Sequence, residues 1–98
     1  MYTESNTRSV IQKRIQNSEH NHLVDLNTVK KILEILYTNG RVKRTHLSVK
    51  AGMNYERCTR YINILKLIKL VEVILENNSN YVIITQAGIE IINMLDYI

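Results

Sequence analysis

The sequence predicts a mainly α fold carrying one β-hairpin, an α+β domain in the order α-β-α-α-β-β-α. Three observations carry this. Two amphipathic helical stretches meet across a tight turn that contains Gly52. After residue 70 the hydrophobic period changes from 3.6 to 2. A capped, strongly apolar helix closes the chain.

Residues 1–26 read as an N-terminal extension. Residues 1–7 are polar and expected to be disordered, while Val10, Ile11, Arg14 and Ile15 have the spacing of a short amphipathic helix. Arg8, Lys13 and Arg14 make the stretch a candidate basic arm, although a frayed tail is the simpler reading. His20 and His22 stand beside Glu19 and Asp25, without a second group at a zinc spacing, so no metal is expected.

Residues 27–98 read as the domain. The first helix covers 26–39: Asn27 or Thr28 caps it, and Val29, Ile32, Leu33, Ile35 and Leu36 form its apolar stripe. Asn39-Gly40 ends it, with glycine suited to a positive φ. Residues 41–43 are a short extended link. A second helix follows over 45–51, capped by Thr45, with Leu47 and either Val49 or Ala51 pointing inward. Gly52-Met53 and the cap Asn54 turn the chain into the third helix. VEVILE and YVII then form a hairpin around Asn77-Asn78-Ser79-Asn80. Thr85 caps the last helix, which runs towards Ile98. This is the winged helix-turn-helix order.

Charge is distributed unevenly. Residues 1–40 carry a net +1, residues 41–69 a net +7 with Glu56 as their one acid, and residues 70–98 a net −4 with no Lys or Arg; the chain's total is +4. A basic block of this kind favours nucleic acid or an acidic surface. The lone Cys58 excludes an internal disulfide and reads as a small core residue. No apolar run approaches the ~18 residues of a membrane span, and no signal pattern opens the chain. The expectation is a soluble, cytoplasmic protein.

The basic block contains the presumed presenting helix, residues 54–68. At ~100° per residue, Cys58, Ile62 and Leu65 share its inner face, with Tyr61 and Ile68 on the flank. Glu56, Arg60 and Asn63 lie opposite, with Arg57 and Thr59 on the shoulders. On an isolated helix such a face is ordinary solvated surface. Beside a helix-turn-helix and inside a +7 block, it points to bases and phosphates.

From about Val29 to Leu95 the chain also resembles the small archaeal winged helix-turn-helix regulators. The residues that carry the likeness are the aliphatic first helix, the NYERCTRYINIL block, the LVEV strand entry, and ITQAGIEII with Thr85, Gly88 and the helix from Ile89. The resemblance implies binding of double-stranded DNA as a homodimer, with the last helix in the dimer contact. Viruses of archaea carry similar domains, which would place the protein in a host cytoplasm; otherwise it is nucleoid-associated. There are two departures. The family often has glycine where Lys69 stands, and this wing tip carries Asn and Ser instead of Arg or Lys, which argues against strong minor-groove reading by the wing.

The expected function is a DNA-binding transcriptional regulator that puts the first half of the long helix into the major groove. Arg57 and Arg60 are candidates for guanine or phosphate, Asn63 and Thr59 for base edges, Tyr55 for phosphate or sugar, and Asn54 belongs to the same face. Lys43, Arg44, Thr45 and Lys50 would sit on the DNA backbone. Ile91, Met94, Leu95 and Ile98 would form the dimer interface, because one helix cannot bury all its aliphatic sides on its own domain. Two other readings use the same residues: a sequence-tolerant architectural DNA protein, and a winged helix that binds an acidic protein partner. No paired-carboxylate, Ser/His/Asp or phosphate-loop pattern supports an enzyme, and no cofactor or small-molecule ligand is evident.

Overall fold

The computed structural model describes residues 24–97. The elements are α1 (Leu26–Asn39), β1 (Val42–Lys43), α2 (Arg44–Ala51), α3 (Tyr55–Leu67), β2 (Val71–Glu76), β3 (Ser79–Ile84) and α4 (Gln86–Leu95). The order matches the sequence expectation. The first helix starts at Leu26, as expected, and Asp25 is its cap. Its carboxylate accepts the Asn27 N–H and the Thr28 hydroxyl, each at 3.1 Å. Asn27 and Thr28 are therefore first-turn residues held by a cap, not the caps themselves.

Helices α1, α2 and α3 enclose an aliphatic core of Ile32, Leu33, Leu36, Leu47, Ile62 and Leu65, which Val71 and Val82 close from the sheet. Ile35 packs against it from the side. The link after α1 is a true strand. Val42 pairs with Val82 and Lys43 with Tyr81, giving an antiparallel three-stranded sheet in the order β1-β3-β2. The hairpin turn is tighter than four residues: Glu76 pairs with Ser79, and only Asn77 and Asn78 are turn residues, both at positive φ. Asparagine is the side-chain-bearing residue that best tolerates this conformation, which a two-residue hairpin turn of this hand requires twice.

Helix α2 starts at Arg44 with Lys43 as its cap, and no side chain bonds to its first turn. Thr45 lies inside that turn, so the cap assigned to it from the sequence is corrected. Its inner face is Leu47, Ser48 and Ala51, while Val49 is 78% exposed. Ser48 tolerates burial because its hydroxyl donates to the Thr45 carbonyl at 2.8 Å. Gly52 ends α2 in the left-handed region.

The last described helix is less exposed than its composition suggests. Thr85 caps it, accepting the Gly88 N–H at 3.1 Å, and the helix ends at Leu95. Ile92 is buried, Leu95 half-buried, and Ile91 packs against the core. Among the described residues, the exposed large groups of this helix end are Met94 and Tyr97. Ile98 and the segment around Val10, Ile11 and Ile15 lie outside the described residues.

Helix α3 leaves the core through a glycine-type exit without a glycine. The Leu70 N–H bonds the Leu65 carbonyl at 2.8 Å and the Lys69 N–H bonds the Lys66 carbonyl at 3.0 Å. This is the double bond pattern that places one residue in the left-handed region, and here that residue is Lys69, at φ 67°. Ile68 is the C-cap and 55% exposed, not on the inner flank. The conformation costs an L residue ~1–2 kcal/mol, of which the added flexibility of an unfolded glycine would offset a part. Lys69→Gly is expected to stabilise the domain by roughly 0.5–1 kcal/mol, read as a higher midpoint in urea unfolding at unchanged slope.

Candidate nucleic-acid interface

Asn54 sets where α3 begins. Its side-chain oxygen accepts the Arg57 N–H at 2.7 Å, so the polar residues of the first two turns are presented from an anchored end. The inner face holds Cys58, Tyr61, Ile62 and Leu65. Tyr55, Glu56 and Asn63 are exposed, and Arg57 and Arg60 are partly exposed. The Thr59 hydroxyl oxygen is buried without a hydrogen-bond partner.

The two arginines differ in what holds them. The Arg57 guanidinium lies 5.3 Å from the centre of the Tyr61 ring, a cation–π distance. The Tyr61 hydroxyl in turn accepts the Asp25 N–H at 2.8 Å, tying α3 to the start of α1. Arg60 has no ion pair among the described residues.

The wing brings in residues the sequence did not nominate. A groove of about 260 Å³ is lined by Lys43, Arg44, Thr45 and Tyr55 on one wall and by Asn78, Ser79 and Asn80 on the other. The pairing of Lys43 with Tyr81 creates it, since that pairing carries the wing tip past the start of α2. Lys43 also lines a second groove of about 330 Å³ with Arg41, His46, Lys50 and Tyr81. The four residues expected on the DNA backbone are thus spread around both sides of α2.

Not every cation of the basic block adds an unbalanced charge to this side. Arg41 stacks 4.3 Å from the centre of the Tyr81 ring and pairs with Glu76 across the sheet. The hydrogen bond to Glu76 holds its guanidinium protonated even more firmly than usual. Lys66 and Lys69 line a different groove with Gln86 and Ala87, at the far end of α3. Lys43, Arg44, Lys50, Arg57 and Arg60 remain. Arg44 is also packed: its Nε is buried without a hydrogen-bond partner, and its charge acts on the thiol of Cys58. Burial pushes that thiol upward and Arg44 only partly counters it, so Cys58 stays a neutral core group. Among the described residues no cluster of three or more His, Cys, Asp or Glu could hold a metal, and no helix is long and apolar enough to cross a membrane. His20 and His22 lie outside those residues.

This geometry is that of a helix-turn-helix flanked by a wing, and the comparisons agree with it. A family model for winged helix-turn-helix proteins matches residues 25–98; the chain belongs to this family. No curated protein sequence matches it. Among solved structures, it is similar to Bordetella bronchiseptica BpsR, whose DNA binding is regulated by 6-hydroxynicotinic acid, with a TM-score of 0.67 at 17% identity over 97% of this chain and 76% of that one. Sso10a-2, a DNA-binding protein from Sulfolobus solfataricus, superposes with a TM-score of 0.61 at 21% identity over 71% of this chain and 75% of that one. The Zalpha domain of Carassius auratus PKZ, solved with Z-DNA, gives 0.55 at 17% identity over 61% of this chain and 95% of that one. At these identities the likeness is one of fold, the winged helix-turn-helix. Bacterial, archaeal and fish proteins share it, so the fold does not mark a source.

Asn54 separates a structural role from a binding one. Asn54→Ala removes the cap and is expected to cost ~1 kcal/mol of unfolding free energy. Asn54→Asp keeps an acceptor at the helix start and should hold stability within a few tenths of a kcal/mol of wild type. Thermal and urea unfolding of both variants checks this.

Proposed function

We propose that this chain is a double-stranded DNA-binding transcriptional regulator that places the N-terminal half of α3 in the major groove. The observation that carries the reading is the groove of Lys43, Arg44, Thr45 and Tyr55 at the start of a helix that carries the partly exposed Arg57 and Arg60. A helix on an anchored end with partly exposed guanidinium groups suits base edges, and a basic groove beside it suits phosphates. Asn63 extends the reading face by one turn. In this reading the wing supplies amide groups, Asn78 and Asn80, in place of cations. A nucleoid location follows from it.

We further propose that the protein acts as a homodimer. Met94 is 62% and Tyr97 90% exposed at the end of α4, beside the half-buried Leu95, and a two-fold contact would cover them on both copies. Such pairing would place two reading helices about one DNA turn apart. The surface is smaller than a fully apolar outer side would give, since Ile91 packs inward.

Selection of bound duplexes from a random pool tests the main reading. Enrichment of a defined, two-fold symmetric site supports a regulator; no enrichment at appreciable affinity favours a sequence-tolerant architectural protein, and no binding favours an acidic protein partner. On a selected site, Arg60→Ala should cost ~1–3 kcal/mol, and less on scrambled DNA. Lys43→Ala and Lys50→Ala should weaken binding to all sequences alike and each lower the salt slope by about one unit. For the dimer, sedimentation equilibrium should give a two-chain mass for the wild type and one chain for Met94→Glu/Tyr97→Glu; a wild-type monomer overturns it.

A further inference from the structure

His46 is the one histidine among the described residues, and it stands inside the basic block. It follows Lys43 by three residues and precedes Lys50 by four, the spacing that puts side chains on one face of a helix. The structure bears this spacing out. Lys43, His46 and Lys50 line one groove of about 330 Å³ together with Asn39, Arg41 and Tyr81. His46 and Lys50 are exposed, so both can meet a large partner. Lys43 also lines the groove between α2 and the wing, where Arg44, Thr45 and Tyr55 stand. The two grooves therefore adjoin at Lys43.

No Asp or Glu lines the groove of His46. The groups that face the imidazole there come from several elements. Its own helix supplies Lys50, β1 supplies Lys43, and the residue before β1 is Arg41. Strand β3 supplies the Tyr81 phenol, brought in by the pairing of Tyr81 with Lys43, and α1 supplies the uncharged Asn39. Glu76 of β2 is engaged by Arg41. An imidazole is the side chain that takes up its charge between pH 8 and 5 in the ordinary case. A proton on His46 finds no carboxylate in this groove to pair with, so the partner for that charge has to be an anion from outside.

We propose that His46 is a proton-dependent phosphate contact, and that the DNA strand held at Lys43 continues past it to Lys50. The inference rests on the DNA-binding reading and adds a condition to it: the domain holds duplex DNA more tightly as the pH falls. A protonated imidazole donates a charge-assisted hydrogen bond to a phosphate oxygen and displaces a counterion from the duplex. A neutral imidazole does neither. Protonation and DNA binding then favour each other by linkage, so the complex takes up a proton at His46 as it forms. Phosphates carry no base identity, and the gain is the same on every sequence.

Titration of the full chain with a mixed-sequence duplex over a range of salt, at about pH 8 and about pH 5.5, tests this. Wild-type affinity should rise about tenfold on acidification, the scale of one charge-assisted contact, and the salt slope should steepen by about one unit. His46→Gln should abolish both gains and match the wild type at the higher pH. His46→Lys should bind at the higher pH as tightly as the wild type does at the lower one. The side chain is exposed and neither substitution enters the core. His20 and His22 carry imidazoles as well, so the quantity read is the difference between wild type and His46→Gln. A response in His46→Gln equal to that of the wild type overturns the proposal and leaves the DNA reading standing. A wild-type salt slope that does not change with pH does the same. Absence of binding at both pH values overturns the DNA reading and this inference with it.

Discussion

The position of every element after α3 depends on how that helix ends. Lys69 in the left-handed region reverses the chain, and Leu70 drops into the core beside Leu65. The carbonyls exposed by the reversal are then used by one residue. Thr85 takes the Lys69 carbonyl with its hydroxyl and the Leu70 carbonyl with its N–H, while its oxygen caps α4 through Gly88. These bonds join α3, the wing and α4 in a single register. Gly88 completes it because any Cβ there would overlap the Leu70 carbonyl and Ile84. The wing therefore has a fixed height relative to α3, because β2 starts and β3 ends at this junction.

The same junction explains what the charge run means. A net +7 over residues 41–69 looks like one basic surface in one dimension. Folding distributes it. The chain reversal carries Lys66 and Lys69 to the far end of α3, into a groove with Gln86. The three-stranded sheet brings Arg41 to Glu76 and Tyr81, where its charge is locally balanced. The remaining cations stand on the helix-turn-helix. The positive field at the proposed interface is thus smaller than the count suggests and more concentrated, which favours positioning over bulk attraction.

The elements themselves were legible because each has a local cause. The 3.6 period of Val29, Ile32, Leu33 and Leu36, the period of 2 in VEVILE, and the caps Asn54 and Thr85 all act within a few residues, and all appear where the pattern puts them. What the pattern missed depends on contacts distant in sequence or on competition between neighbours. Asp25 outcompetes Asn27 and Thr28 because a carboxylate one residue before the helix satisfies both of them at once. The groove shared by Lys43, Tyr55 and Asn80 needs β1 to pair with β3, a contact across some forty residues that two extended residues do not announce. Thr59 lies on the shoulder that helix geometry assigns it, yet its hydroxyl is covered, and a helical wheel does not show which way a side chain turns. The glycine-like role of Lys69 had one signal, the departure from the family pattern at that position.

In the proposed complex the two arginines of α3 are not equivalent. Arg57 is held over the Tyr61 ring, one turn further along the helix, and that ring is itself fixed by its bond to the Asp25 N–H. The guanidinium is drawn back from the N-terminal tip that would enter the groove. Lifting it off the ring costs ~0.5–1 kcal/mol, the worth of such a contact at a partly exposed site. A phosphate can be approached from the flank of the helix with that contact kept, since the groove wall runs beside it. A guanine edge on the groove floor cannot, because bidentate pairing requires the guanidinium to extend in the plane of the base. Arg60 lies in the middle of the polar arc with no aromatic partner among the described residues, and it is free to extend. In the proposed complex, the packing of α3 against the start of α1 would divide the labour: the arginine nearer the helix start would position, and the one a turn later would read.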